Sequence, residues 1–376
     1  MSILFTCTKC DGQLQAPRNL RGAPVKCPHC HEFIRVPDTP PPPGTKEKEG
    51  LSQSVVRKIT EAAGVERIRG FDVRAFFSEV FRKHPEESID NHFTVGSPAT
   101  TPPLSDISTR WPQPWVFFRV FVGAIVLYLL FSQGYSRTGN PNLIPGLILV
   151  GSFAVPMAML ILFFEINVRR NVSAYQVLRL MLVGGVISIM VSLFLFSLSE
   201  KTRVDDWLGH SVVGLAEEAA KVLALLVVVK QRRFDYTHNG LLFGAAVGTG
   251  FAAFETAGYA LQALLMSQDI RQVYDVLFLR GLLSPLAHIV WTAICGAALW
   301  RVKRDRRFRL GHLFHPNFLR VFTIAVLLHM AWNSSWQGLL KFAGIGLVAW
   351  IIVLGFIQTG LREIAIEKAN SRIQNG

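Results

Sequence analysis

After position 114 the sequence becomes a succession of eight apolar runs, at about residues 115–133, 143–164, 176–198, 208–229, 239–264, 282–300, 319–337 and 343–361. Each approaches or exceeds the roughly 20 residues that a helix needs to cross the hydrocarbon core of a bilayer. Backbone polar groups at that depth must be paired within the segment, so runs of this length are read as helices. The pattern predicts an all-α polytopic membrane protein with about eight transmembrane helices, not a chain of soluble domains. The fourth run is the least regular, because it carries glutamates.

Half of the residues are apolar and the net charge is +13. In a soluble chain that excess would suggest nucleic acid; here most of it lies in short loops, where it reports topology and contact with anionic headgroups. Alternate loops hold twelve lysines and arginines, including Arg169, Arg170, Lys230 and the group from Arg301 to Arg320. The other loops hold six: Arg137, Lys201, Arg203, Arg271, Arg280 and Lys341. Placing the richer set inside puts both termini in the cytoplasm, as an even number of spans requires. The expected setting is a multi-pass protein of the bacterial inner membrane.

Four of the five cysteines fall in the first 30 residues. No apolar stretch precedes position 115, so no signal peptide is expected and this region should stay in a reducing compartment. There, paired cysteines favour a metal over disulfides. Cys7-x-x-Cys10 and Cys27-x-x-Cys30, separated by sixteen residues, have the spacing of a zinc ribbon, in which four thiolates close a tetrahedral and therefore structural site. His29 and His31 beside the last cysteine read as bystanders. The sequence divides into a ribbon (1–37), a Pro-rich linker (38–50), a cytoplasmic amphipathic helical region and linker (51–114), a membrane domain (115–361) and a tail (362–376). Phe71, Phe77 and Phe81 form an apolar stripe in the amphipathic region, which suits a cytosolic cap or a surface-lying helix. The ribbon would contact a cytosolic protein or merely cap the N-terminus; nucleic acid is disfavoured, because its basic residues are few and lack interleaved aromatics.

The membrane runs carry ionisable groups that cost about 2.5–3.5 kcal/mol each at the bilayer centre, so they call for a use. In G-L-A-E-E-A-A-K, Lys221 lies three residues after Glu218 and four after Glu217, within reach of both. The two glutamates are adjacent and diverge by about 100° on a helix, so one should aim into a site while the other braces it. Glu255 and Tyr259 share a face in F-A-A-F-E-T-A-G-Y, and Gly240, Gly244 and Gly248 upstream invite close approach of another helix. His288 follows Pro285, and His329 shares a face with Asn333. Glu165 and Glu200 are expected at aqueous segment ends, and Cys295 as a packing residue.

These groups suit hydrolysis of a peptide bond. A carboxylate can take a proton from water, and imidazole and carboxamide donors can stabilise an oxyanion. The same glutamates and histidines could instead hold a divalent metal, although no H-E-x-x-H run is present. Packing alone is a weak account of five such groups together. A proton- or cation-coupled transporter would use similar residues, but no convincing inverted repeat is visible. A non-catalytic membrane scaffold or sensor would be free to lose them.

Glu217-Glu218-x-x-Lys221, Phe254-Glu255-x-x-x-Tyr259, His288 after a proline, and His329-x-x-Trp332-Asn333 together resemble the motif set of the PrsW family of intramembrane proteases. That family is related to the type II CAAX prenyl endopeptidases. The resemblance covers about residues 115–361 and implies an intramembrane endopeptidase acting on a membrane-anchored protein. The founding member makes the first cut in an anti-sigma factor, which implies a regulatory substrate of that kind. By the family pattern, Glu217 and Glu218 supply the general base and its support, Lys221 balances charge, and Glu255, His288, His329 and Asn333 line the site. The CAAX enzymes have a histidine in the second motif where this chain has Glu255, which leaves glutamate and metal chemistry both open. The ribbon lies outside the family pattern.

Overall fold

The computed structural model describes residues 2–7, 13–17, 20, 22–28, 33–37, 51–203, 211–229, 234–304, 306–335 and 338–375. The chain forms two compact units, Met1–Val55 and Val56–Gly376. In the first, β1 (Ser2–Thr6) pairs antiparallel with β2 (Gln13–Pro17), and β3 (Pro24–Lys26) with β4 (Phe33–Arg35). Cys7 and Cys27 follow the first strand of each hairpin and are buried with Leu14, Ala16, Ile34 and Val36 in a small core. Cys10, Cys30, His29, His31 and the Pro-rich linker at 38–50 lie outside the described residues.

From Leu51 onward the described chain is helical, its first helix running across the Val55–Val56 boundary. Short helices α1 (Leu51–Ala63), α2 (Val73–Phe76) and α3 (Glu86–Phe93) precede the membrane part. In this region Phe76 is the buried ring, whereas Phe77 and Phe81 lean on Phe117 and Phe118 of the next helix. Among the described residues, each of the eight apolar runs is mainly helical. They give α4 (Val116–Thr138), α5 (Ile144–Ile166), α6 (Ala174–Arg179) continuing through a π-helical turn into α7 (Gly185–Thr202), and α8 (Ser211–Val229). Then come α9 (Thr237–Ser267), α10 (Ile270–Leu283) leading through a 3₁₀ turn into α11 (His288–Lys303), α12 (Pro316–Asn333) and α13 (Leu339–Asn375). Among the described residues, six helical stretches are long and apolar enough to cross a membrane. The two that fall short, α8 and α12, are those carrying Glu217, Glu218, Lys221 and His329. The chain is an integral multi-pass membrane protein.

Its packing inverts the soluble rule on the outside: α4 turns Val126, Leu127, Leu129 and Leu130 outward, because acyl chains solvate them as well as a protein core would. Inside, α9 and α11 lie almost backbone to backbone. A Cβ on Gly240, Gly244 or Gly248 would run into the carbonyls of Gly296, Thr292 or His288. Only glycine permits that approach, and it brings Glu255, two turns beyond Gly248, to the level of His288. Gly214 does the same for α8 and α12, where a Cβ would stand 3.3 Å from Met330 and 3.4 Å from His329.

Two helix starts are capped by distant carboxylates. Glu165, expected in water, is buried with its side chain only 3% exposed. Its oxygens accept the N–H groups of Trp115 (2.8 Å), Val116 (3.0 Å) and Phe117 (2.9 Å), satisfying donors that an α4 terminus would otherwise leave open. Glu363 of α13 accepts from the N–H and hydroxyl of Thr237 at the start of α9. The helix holding Glu363 continues through residues 362–375, and Lys368 ties it to the carbonyls of Ser105 and Ile107.

Candidate active site

Six of the seven residues singled out within the membrane domain come together. Glu217, Glu218 and Lys221 arrive on α8, Glu255 on α9, His288 as the first residue of α11, and His329 on α12. Pro285 explains the position of His288. The 3₁₀ turn Ser284–Leu286 ends α10, Ala287 leaves helical geometry, and α11 restarts with the imidazole at its tip. Trp350 of α13 donates to the Pro285 carbonyl at 2.9 Å and holds that corner.

Hydrogen-bond chemistry fixes both imidazoles. The Lys221 ammonium donates to Glu218 Oε1 at 2.7 Å and to His288 Nδ1 at 3.0 Å. An ammonium only donates, so His288 Nδ1 accepts and the ring proton sits on Nε2, which faces Glu255 Oε2 at 3.3 Å. His329 Nδ1 lies 3.0 Å from Glu218 Oε1, a carboxylate oxygen that only accepts, so its ring proton is on Nδ1. Its Nε2 then turns a lone pair toward Glu217 Oε2 at 3.7 Å. The same oxygen lies 3.9 Å from His288 Nδ1 and 3.8 Å from Lys221 Nζ, is buried, and has no hydrogen-bond partner. Two ring nitrogens without protons and one unpartnered carboxylate oxygen thus face a common point.

Both adjacent glutamates lie in the cluster, Glu217 facing the two imidazoles and Glu218 hydrogen-bonded to Lys221 and His329. The imidazole of His329 makes this compatible with their divergence, because its two nitrogens meet the two carboxylates separately. Asn333, by contrast, is exposed at the last position of α12, and among the described residues none of the cluster's hydrogen bonds involves it. Trp291 fills the floor instead, with ring centroids 4.8 Å from His329 and 5.3 Å from His288.

Arg280 also joins the cluster. The sequence placed it in a loop, but it belongs to α10, half-buried, where it bonds Glu255 and donates to Thr256 Oγ1 at 3.1 Å. Its signal was the apolar stretch V-L-F-L-R-G-L-L, which no aqueous loop would carry.

Residues 171–358 match the sequence profile described as PrsW family intramembrane metalloprotease, half of the chain and all of the cluster. The chain belongs to the PrsW family. It is therefore an intramembrane protease, cutting within a polypeptide chain. Protease PrsW of Oceanobacillus iheyensis is 22% identical over 187 residues, spanning 48% of this chain and 80% of that protein. Protease PrsW of Clostridioides difficile is 23% identical over 188 residues, spanning 48% of this chain and 74% of that one. No solved structure matches.

The family is one of metalloproteases, so the fit of the cluster to an ion can be tested. Glu217, His288 and His329 offer ligand atoms that all lie within 4.8 Å of one another, and all three residues are buried. Two imidazoles and a carboxylate form a donor set that catalytic zinc uses, leaving a position open. Ligands at zinc distances stand about 3.3 Å apart on a tetrahedron; the 3.7 and 3.9 Å separations from Glu217 Oε2 are slightly expanded from that. Counted as ionised, Glu217, Glu218 and Glu255 outnumber Lys221 and Arg280 by one, so a cation beside Glu217 would meet a carboxylate with no cationic side chain of its own. The residues fit a divalent cation.

Proposed function

We propose that Glu217, His288 and His329 hold a divalent metal, and that the cluster is the catalytic centre of a metal-dependent intramembrane endopeptidase. The observation that carries this is the convergence of His288 Nδ1 and His329 Nε2 on the unpartnered Oε2 of Glu217. A bound divalent ion would supply an activated water and polarise the scissile carbonyl. Glu218 and Glu255 hold the far nitrogen of each imidazole and fix ring orientation; the lone pair of His329 Nε2 is then free, and that of His288 Nδ1 would pass from Lys221 to the ion. Lys221 donates to Glu218 and keeps a positive charge beside the place where an oxyanion forms. Trp291 and Phe251 wall the site with apolar rings that keep out surplus water.

The test is metal content of the full-length chain against His329→Ala and Glu217→Gln. Both variants should lose one equivalent per chain and all cleavage of a membrane-anchored substrate. Equal metal content in all three, with wild-type activity intact, would end the metal assignment. A second reading has one contact in its favour: Lys221 Nζ stands 3.0 Å from His288 Nδ1, beside the lone pair an ion would use. In that reading Glu217 is the general base, with Glu218 and Lys221 supporting it, and cleavage survives complete metal removal.

The substrate is a membrane-anchored protein, reached from within the bilayer; a regulatory, anti-sigma-like protein is the class the family favours. The ribbon closes around a structural zinc through Cys7, Cys10, Cys27 and Cys30. The buried Cys7 and Cys27 between two antiparallel hairpins support that reading, and a cytosolic protein is its partner. Loop charge supports both termini on the cytoplasmic side of a bacterial inner membrane.

A further inference from the structure

We infer that Arg280 is a positioning residue of this catalytic centre, acting through Glu255 to hold His288. The inference rests on the cluster being catalytic, as proposed above. Three contacts place the guanidinium: it bonds Glu255 Oε2, its Nε donates to Thr256 Oγ1 at 3.1 Å, and it lies 4.5 Å from the ring centroid of Tyr259. Thr256 and Tyr259 lie on the same helix as Glu255, so one side chain from α10 grips a full turn of α9.

The consequence falls on His288. The oxygen that Arg280 bonds is the one facing His288 Nε2 at 3.3 Å. Paired with a guanidinium, Glu255 presents an acceptor, and an acceptor fixes the ring proton on Nε2 and the lone pair on Nδ1. Without it, Glu255 would be a half-buried carboxylate with no adjacent counter-charge and little reason to keep its rotamer. Arg280 makes no hydrogen bond or ion pair with Glu217 or His329 among the described residues, so its contact route to the centre is the Glu255–His288 pair. The fork geometry matters: a lysine could supply the charge but not both the carboxylate and hydroxyl contacts.

The experiment uses the full-length protein in lipid nanodiscs with ¹⁵N-labelled histidine, comparing wild type, Arg280→Met, Arg280→Lys and Arg271→Met. The His288 resonance is assigned from His288→Gln. In wild type the shifts should report a single tautomer with the proton on Nε2. In Arg280→Met that signature should be lost, with kcat down about 10–100-fold and KM nearly unchanged, as for other outer partners of a catalytic imidazole. Arg280→Lys keeps the charge on Glu255 but loses the Thr256 contact, so it should restore the tautomer signature and only part of kcat. Arg271→Met, an exposed change on the same helix, should alter neither. Unchanged His288 shifts and kcat in a folded Arg280→Met would overturn the inference. The tautomer is read whether or not an ion is bound, so loss of the metal assignment would register separately, in metal content alone.

Discussion

His329 Nδ1 lies 3.0 Å from Oε1 of Glu218, across 111 positions of sequence and between two helices. This contact makes a pair of neighbouring glutamates into two different tools. Glu218 Oε1 is engaged by His329 and Lys221, whereas Glu217 turns its unpartnered Oε2 toward His288 Nδ1 and His329 Nε2.

That division predicts unequal consequences. Glu217→Gln should abolish cleavage, by at least about 10²–10⁴-fold as expected for a directly acting group. Glu218→Gln should leave a slow enzyme, about 10–100-fold down, because the imidazole is loosened and not removed. Steady-state cleavage of a reconstituted substrate measures both. Equal losses would contradict the assignment.

Stability should separate from activity at Lys221. Lys221→Met leaves two buried carboxylates short of their nearest cation and should destabilise by about 3–5 kcal/mol. Adding Glu218→Gln should recover much of that stability while activity stays low. Thermal unfolding in detergent, measured alongside cleavage, distinguishes the two effects.

Gly244→Ala tests the α9–α11 contact. Its Cβ would meet the Thr292 carbonyl, backbone that cannot swing aside, so the helices must part. A loss of about 1–3 kcal/mol is expected, with reduced activity because Glu255 and His288 sit on the two separated helices. Gly258→Ala, with nothing within 4 Å of its Cβ, should be nearly silent in the same unfolding assay.

Glu165→Ala should fray the start of α4. Three backbone donors lose their acceptor, a cap worth about 0.5–2 kcal/mol. Amide exchange at Trp115, Val116 and Phe117 should accelerate while exchange around Glu217 does not.

Metal removal gives the broadest test. Treatment with 1,10-phenanthroline should stop cleavage, and added zinc should restore it without refolding of the membrane domain, whose far-ultraviolet dichroism stays constant. Cleavage that persists after the ion is gone would favour the glutamate mechanism.

Sequence alone determined the helical membrane architecture, because apolar run length is a property of the chain and the bilayer sets the threshold. It also identified the ionisable residues, since their cost at membrane depth marks them without any knowledge of partners. Helical spacing placed Lys221 beside both glutamates, a local relation that one helix fixes. What the sequence could not supply was distance across helices. Only the tertiary structure decided that His329 bonds Glu218 while facing Glu217, that Arg280 leaves its expected loop to bond Glu255, and that Asn333 stands apart. Those outcomes depend on how closely glycine faces let helices approach and on which side chain turns inward, and both are settled by packing between segments far apart in sequence.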